Sequence, residues 1–382
     1  MNILIAMDSL KGSLSSIEAN NAIAEGLLNA NNKFSVQAVP VADGGEGTVE
    51  ALVHATDGHF IEKIVTGPVG VPVQARYGIL GGKNTAVIEV AEACGLPLLT
   101  KEQLNPLITT TYGVGELIMD AIDRGCRDFI IGLGGSATND AGVGMLQALG
   151  YQFFVQNGDS VGLGGEFLKV IVKVDSSKVP SKVKEARFRV ACDVNNPLYG
   201  PNGAAYIYGP QKGGTPEMIK ELDEGLKRFA DVCLEQMGVD LQHITGAGAA
   251  GGLGAAFAGF LGGQLESGVS LILAENKLEK KLAGVDLVIT GEGKLDGQTS
   301  MGKAPAGVAK MAQSLGIPVI ALAGDVSEGN PQLYDSGITA YFTIVGGPVS
   351  LEKAMKPEVA RENLKRIAEQ IGRVWGMARI IK

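Results

Sequence analysis

Histidine is nearly absent from this chain of 382 residues: His54, His59 and His243 are all there is, and none lies in a polar glycine-rich loop. That scarcity argues against histidine-dependent triads and His-rich metal sites. The four cysteines, Cys94, Cys126, Cys192 and Cys233, are far apart and form no CxxC pair. Neither a zinc site nor a redox pair is therefore indicated, and reduced thiols in a cytoplasmic protein are the simple expectation. Aromatics make up only 5%, too few for a base-stacking surface. Basic excess is missing too: the net charge is −8, which gives no field to attract nucleic acid or an anionic membrane. A phosphate-bearing ligand would have to be met by backbone N–H groups, a few chosen lysines or a metal. No apolar run approaches the ~18 residues of a membrane helix. The opening "MNILIAMDSLKG" is broken at Asp8 and Lys11 and reads as a first strand, not a signal peptide.

What the chain has in plenty is glycine, 55 residues, about twice the usual ~7% share. The glycines gather at the ends of apolar runs, as tight loops do. "NILIAM" reads as a buried strand, followed by a helix from "SSIEANNAIAEGLLNA" with Ser15 and Glu18 in capping-box spacing. "FSVQAVPVA" is a second strand, and Thr48 is placed to cap "VEALVHAT". From about residue 61 to 110 the rhythm becomes antiparallel, with "VQARYGIL" and "TAVIEVAEA" as strands. From 285 the strand–helix alternation resumes with "VDLVIT", a helix opened by Pro305, "IPVIALAG" and "ITAYFTIV". This predicts an α/β protein: a Rossmann-like parallel-sheet domain built from both termini (1–60 and 284–382), with a second α/β, mixed-sheet domain (61–283) inserted.

Ligands of open parallel sheets sit beyond the carboxyl ends of the strands. Three polar loops fall there: "DSLKGS" (8–13), "ADGGEG" (42–47) and "TGEGKLDG" (290–297). Asp8 and Asp43 precede any helix, so their carboxylates suit a hydrated Mg²⁺ or substrate hydroxyls. In "GLGGSATND" (132–140), a turn without bulk lets N–H groups face a phosphate, and a helix expected to begin near Thr138 would point its positive end there. Asn139 could equally be a helix cap. "GQTSMGKA" (297–304) fits GxxxxGK but carries Ala304 where a P-loop needs Ser or Thr. "GAGAAG" (246–251) fits GxGxxG without a clear preceding strand, so close helix packing competes with a dinucleotide site.

Read together, "DSLKGSLS", "PVADGGEGT", "TTTYGVGELI", "GLGGSATNDAGVGMLQALG", "CDVNNPLYGPNGAAYIYGPQKG", "GAGAAGGLG" and "VITGEGKLDGQTSMGKAP" resemble, in order, the type 1 glycerate kinases across essentially the whole chain. Met7, Leu10 and Ala141 stand where Pro, Phe and Gly are expected, and none of these removes a polar group. The resemblance implies ATP-dependent phosphorylation of D-glycerate with Mg²⁺, most often to 2-phosphoglycerate, with the active site expected in the cleft between the two domains. Three readings stay open beside it: a glycerate 3-kinase, an NAD(P)-dependent oxidoreductase resting on "GAGAAG", and a non-enzymatic small-anion binding protein. On the kinase reading Asp193 is the candidate base, with Lys11 and Asp8 beside it as catalytic groups. Ser13, Asp43, Asn195 and Lys303 are candidates for glycerate. Gly134, Gly135, Ser136, Thr138 and Asn139 are candidates for the nucleotide phosphates, and Asp43, Glu46, Glu292 and Asp296 for the metal. The expected partners are D-glycerate and a nucleotide, with no nucleic acid and no membrane; homo-oligomerisation is left open.

Overall fold

A computed structural model describes residues 1–297, 299, 303–327 and 332–378. Its strands are β1 (Asn2–Met7), β2 (Ser35–Ala38), β3 (His59–Thr66), β4 (Pro72–Ile79), β5 (Thr85–Glu89), β6 (Asp128–Gly132), β7 (Gln152–Phe154), β8 (Lys173–Asp175), β9 (Arg187–Ala191), β10 (Gln264–Glu266), β11 (Leu287–Leu295), β12 (Val319–Val326) and β13 (Ala340–Thr343). The chain divides into two compact units. The first comprises Met1–Asp43, Glu50–Thr56 and Val269–Lys382; the second comprises Gly44–Val49 and Asp57–Gly268. The later boundary falls at Gly268, before residue 283 where the change of sequence rhythm placed it, because Val269 and Leu273 pack into the core of the first unit.

The first unit holds a parallel five-stranded sheet ordered β13-β12-β11-β1-β2. Both faces of β1 are buried, which is why "NILIAM" is a continuous apolar run. Ile3, Ile5 and Met7 join a cluster with Ile23 and Leu27 of the helix Ser16–Ala30 and Leu364 and Ala368 of the helix Pro357–Ala378. Leu4 and Ala6 face the other way, onto Val308 and Ala309 of the helix Ala304–Ser314. The first helix starts where the sequence predicts: Ser15 accepts from the Glu18 N–H, and Glu18 accepts in return from the Ser15 N–H. Thr48 does not cap its helix through its side chain. Its hydroxyl is buried without a hydrogen-bond partner, and the Glu89 carboxylate takes the Val49 N–H instead.

The second unit carries the mixed sheet β10-β9-β6-β5-β4-β3, antiparallel across β3-β4-β5 and parallel from β5 to β10. The stacked rings of Phe129 and Phe188, 4.9 Å apart, sit in its core. Two segments differ from their sequence reading. β5 stops at Glu89 and "AEAC" is a short helix, while β11 runs on through Leu295, so Glu292 and Lys294 lie on a strand where a loop was expected.

The two long helices of the first unit meet at Gly26, where a Cβ would lie 2.2 Å from the Lys365 carbonyl oxygen. Gly26→Ala is therefore expected to destabilise the protein by at least about 1–3 kcal/mol through overpacking. Thermal unfolding should show a Tm several degrees below wild type.

Candidate active site

In the first unit, adjacent β1 and β11 deliver two carboxylates to the carboxyl edge of the sheet. Asp8 follows β1 directly, is 3% exposed, and accepts from the Ser9 N–H at 2.6 Å. Burial raises its pKa to about 7, with the nearby charges of Asp43 and Glu292 adding to the rise. Glu292 is raised as well, by burial, against the opposing pull of Thr299 and Lys303. Two lysines balance this charge. Lys11 Nζ lies 3.2 Å from Asp43, and Lys303 Nζ lies 3.4 Å from Glu292 and 3.9 Å from Asp296. Burial lowers the Lys11 pKa, but Asp43 and Asp8 outweigh it and the net shift is upward. Thr299, which sequence reasoning passed over, donates to Glu292 at 2.7 Å and accepts from the Asp296 N–H at 3.0 Å. The hydroxyls of Ser9 and Ser13, in the same loop as Asp8 and Lys11, are buried without hydrogen-bond partners among the described residues.

The structure thus gathers Asp8, Lys11, Asp43, Glu292, Asp296 and Lys303 from the residues singled out in the sequence. Glu46 is not among them: it is exposed and belongs to the second unit, where its charge bears on Glu89. Among the described residues no three carboxylates converge tightly enough to hold an ion by themselves. Of the "GQTSMGKA" match, Gln298, Ser300, Met301 and Gly302 lie outside the described residues; Lys303 is the N-cap of the helix Ala304–Ser314.

The β6 loop of the second unit departs from its reading in two ways. The helix that follows begins only at Val143, behind a left-handed Gly142, and is six residues long, so it does not start near Thr138 as the dipole argument requires. Ser136, Thr138 and Asn139 are also turned inward, at 5%, 0% and 0% exposure, leaving Gly134 and Gly135 as the exposed part of the loop. Asn139 does not cap the helix, and its side-chain amide has no partner among the described residues. Ser136 accepts from Lys212, a residue that sequence reasoning missed; its only signal was a lone lysine among the small residues of "GPQKGG". Elsewhere in this unit Asp193 and Asn195 are exposed, and Asp193 Oδ1 accepts from the Gly268 N–H at 3.1 Å. The glycines of "GAGAAG" serve packing: a Cβ on Gly251 would lie 2.0 Å from the Thr138 carbonyl oxygen. Turns, not a strand, precede that segment, which removes the dinucleotide fingerprint.

A family model described as the glycerate kinase family matches residues 3–376. The chain belongs to this family. It is 47% identical to the glycerate kinase of Bacillus subtilis (strain 168), over 97% of each chain. To the glycerate 2-kinase of Escherichia coli (strain K12) it is 44% identical, again over 97% of each. A crystal structure of a protein from Salmonella typhimurium LT2 matches with a TM-score of 0.91 at 42% identity, covering 99% of both chains. The α/β fold with its parallel and mixed sheets is thus shared with that structure, and membership of a kinase family makes the chain a phosphotransferase. No helix among the described residues is long and apolar enough to cross a membrane.

The raised pKa of Asp8 carries a sign. The folded state holds the Asp8 proton more tightly than the unfolded chain does, so the stability it contributes is complete below about pH 4. It is lost as pH rises through the folded value of about 7. Measured as Tm against pH from 5 to 8, wild type should fall relative to Asp8→Asn; parallel curves would show that Asp8 is not perturbed.

Proposed function

We propose that this protein phosphorylates D-glycerate with ATP and Mg²⁺, giving 2-phosphoglycerate and ADP in the cytoplasm. The observation that carries the reading is the near-full-length likeness to a protein named a glycerate 2-kinase. The acidic site of the first unit supports it chemically. Such a transfer asks for positioning, neutralised phosphate charge and an acceptor for the hydroxyl proton.

Asp8, Asp43, Glu292 and Asp296 are hard oxygen donors of the kind Mg²⁺ selects, and Asp8, raised chiefly by burial and then by the Asp43 charge, is a carboxylate that a divalent cation would favour in its charged form. The unpartnered hydroxyls of Ser9 and Ser13 fit a ligand beside that group. Mg²⁺ commonly binds through one or two carboxylates and draws its other ligands from phosphates and water, so a site short of three convergent carboxylates suits it. When bound, the ion supplies neutralisation of charge on the transferring phosphate.

The chain's own residues take the remaining roles in this reading. Lys11 and Lys303 exchange their carboxylate partners for phosphate or the glycerate carboxylate. Ser13 and Asn195 orient the substrate hydroxyls. Gly134 and Gly135 offer backbone N–H groups to the nucleotide phosphates, with Ser136, Thr138 and Asn139 shaping the turn from inside. Asp193 accepts the proton from the attacking hydroxyl. Its bond to the Gly268 N–H holds the carboxylate in one orientation, and an asparagine there keeps that acceptor while losing the basicity.

Two measurements test this. With MgATP and D-glycerate, glycerate-dependent ADP release is expected, and enolase alone should convert the product to phosphoenolpyruvate. A product that needs a mutase first would move the phosphate to the 3-position, and no glycerate-dependent ADP would end the reading. Asp193→Asn should lower kcat by about 10²–10⁴-fold while sparing nucleotide affinity; near-normal turnover would remove Asp193 as the base.

A further inference from the structure

Lys212 is the one lysine among the largest fully buried side chains, with 2% of its surface exposed. An ammonium taken out of water is costly unless partners replace the water. Here the partners all belong to one turn. Nζ donates to the Thr138 carbonyl oxygen at 2.6 Å and to Ser136 Oγ at 3.1 Å. The titratable groups facing it are Asp140 and Cys94. Burial pushes the Cys94 thiol up to about 12, and it raises the Asp140 carboxyl as well, against the pull of the hydrogen bonds that Asp140 accepts. Asp140 is itself buried and accepts from the backbone N–H groups of Thr111, Gly142 and Gly144 and from the Thr111 hydroxyl. The rest of the turn is tied down by Leu96 N–H to Gly135 O, Ala137 N–H to Cys94 O, and Thr109 Oγ1 to Ala137 O. Gly134 and Gly135, by contrast, are exposed and donate no backbone hydrogen bond among the described residues.

We propose that Lys212 is a positioning residue for phosphoryl transfer. From beneath the β6 loop its ammonium holds Ser136 and Thr138 inward, so that Gly134 and Gly135 stay presented to a nucleotide phosphate, and it places a positive charge behind them. A lysine serves here where a neutral donor does not, since its charge is felt across the turn in a medium of low dielectric. The inference rests on the reading that this loop holds the nucleotide phosphates.

The test separates that reading from the proposal. Hydrogen–deuterium exchange of the wild-type enzyme should show residues 132–140 protected by MgATP; no protection would overturn both. With protection seen, Lys212→Met should raise the KM for MgATP at least about tenfold and leave the KM for D-glycerate within about twofold. An unchanged KM for MgATP, or an equal rise in both constants, would make Lys212 a purely structural group and overturn the proposal alone. If the variant does not fold, the pH profile of wild type decides. Burial lowers the Lys212 pKa to about 8, so the KM for MgATP should climb above that pH while the KM for D-glycerate stays level. A flat profile for MgATP overturns the proposal.

Discussion

A buried ammonium and a buried carboxyl set against the same turn fix the shape of the loop after β6. Lys212 reaches Ser136 and Thr138, and Asp140 gathers the N–H groups at the start of the helix Val143–Ala148. Neither group can leave these partners without exposing an unpaired polar group to the interior, which is costly. The turn is consequently held in one shape although it is nearly free of side-chain bulk. The glycines nearby serve the same end. A side chain at Gly251 would strike the Thr138 carbonyl, so the segment carrying "GAGAAG" packs tightly under the loop.

The first unit solves a different electrostatic problem. Parallel pairing of β1 with β11 brings Asp8 and Glu292 to one sheet edge, and burial, more than any neighbouring charge, raises both pKa values. Lys11 offsets the charge through a contact of 3.2 Å, and Lys303 through contacts of 3.4 Å and 3.9 Å. Such pairs are easily exchanged for a ligand, because partly exposed ion pairs contribute little on their own. A carboxylate poised near neutrality and lysines with replaceable partners suit a polyanionic substrate better than they suit stability. Asp8 is in that sense a local violation of good packing, of the kind that collects at functional sites.

Much of this was legible residue by residue. The capping box at Ser15 and Glu18, the buried strand "NILIAM", and the placement of Asp8 and Asp296 directly after strands follow from periodicity and the strand-end rule. Two local expectations meet long-range partners. Ser136 reads as part of an open glycine turn, yet its hydroxyl faces inward and accepts from Lys212, far along the chain. Thr48 was taken as a cap, yet Glu89 from a neighbouring strand does that work. Each was a long-range partner displacing a local one.

By itself, then, the sequence determined the α/β class, the parallel sheet formed by both ends of the chain, and the set of acidic and lysine residues available for chemistry. These depend on apolar periodicity and on spacing along the chain, which are local properties. The tertiary structure alone decided which polar groups face inward, that Glu46 stands in a different unit from Asp43, and that Lys212 belongs to the β6 loop. The reason is physical: hydrogen-bond partners and burial costs are set by contacts between residues far apart in the chain, as Lys212 and Ser136 are, and such contacts leave no periodic trace to read.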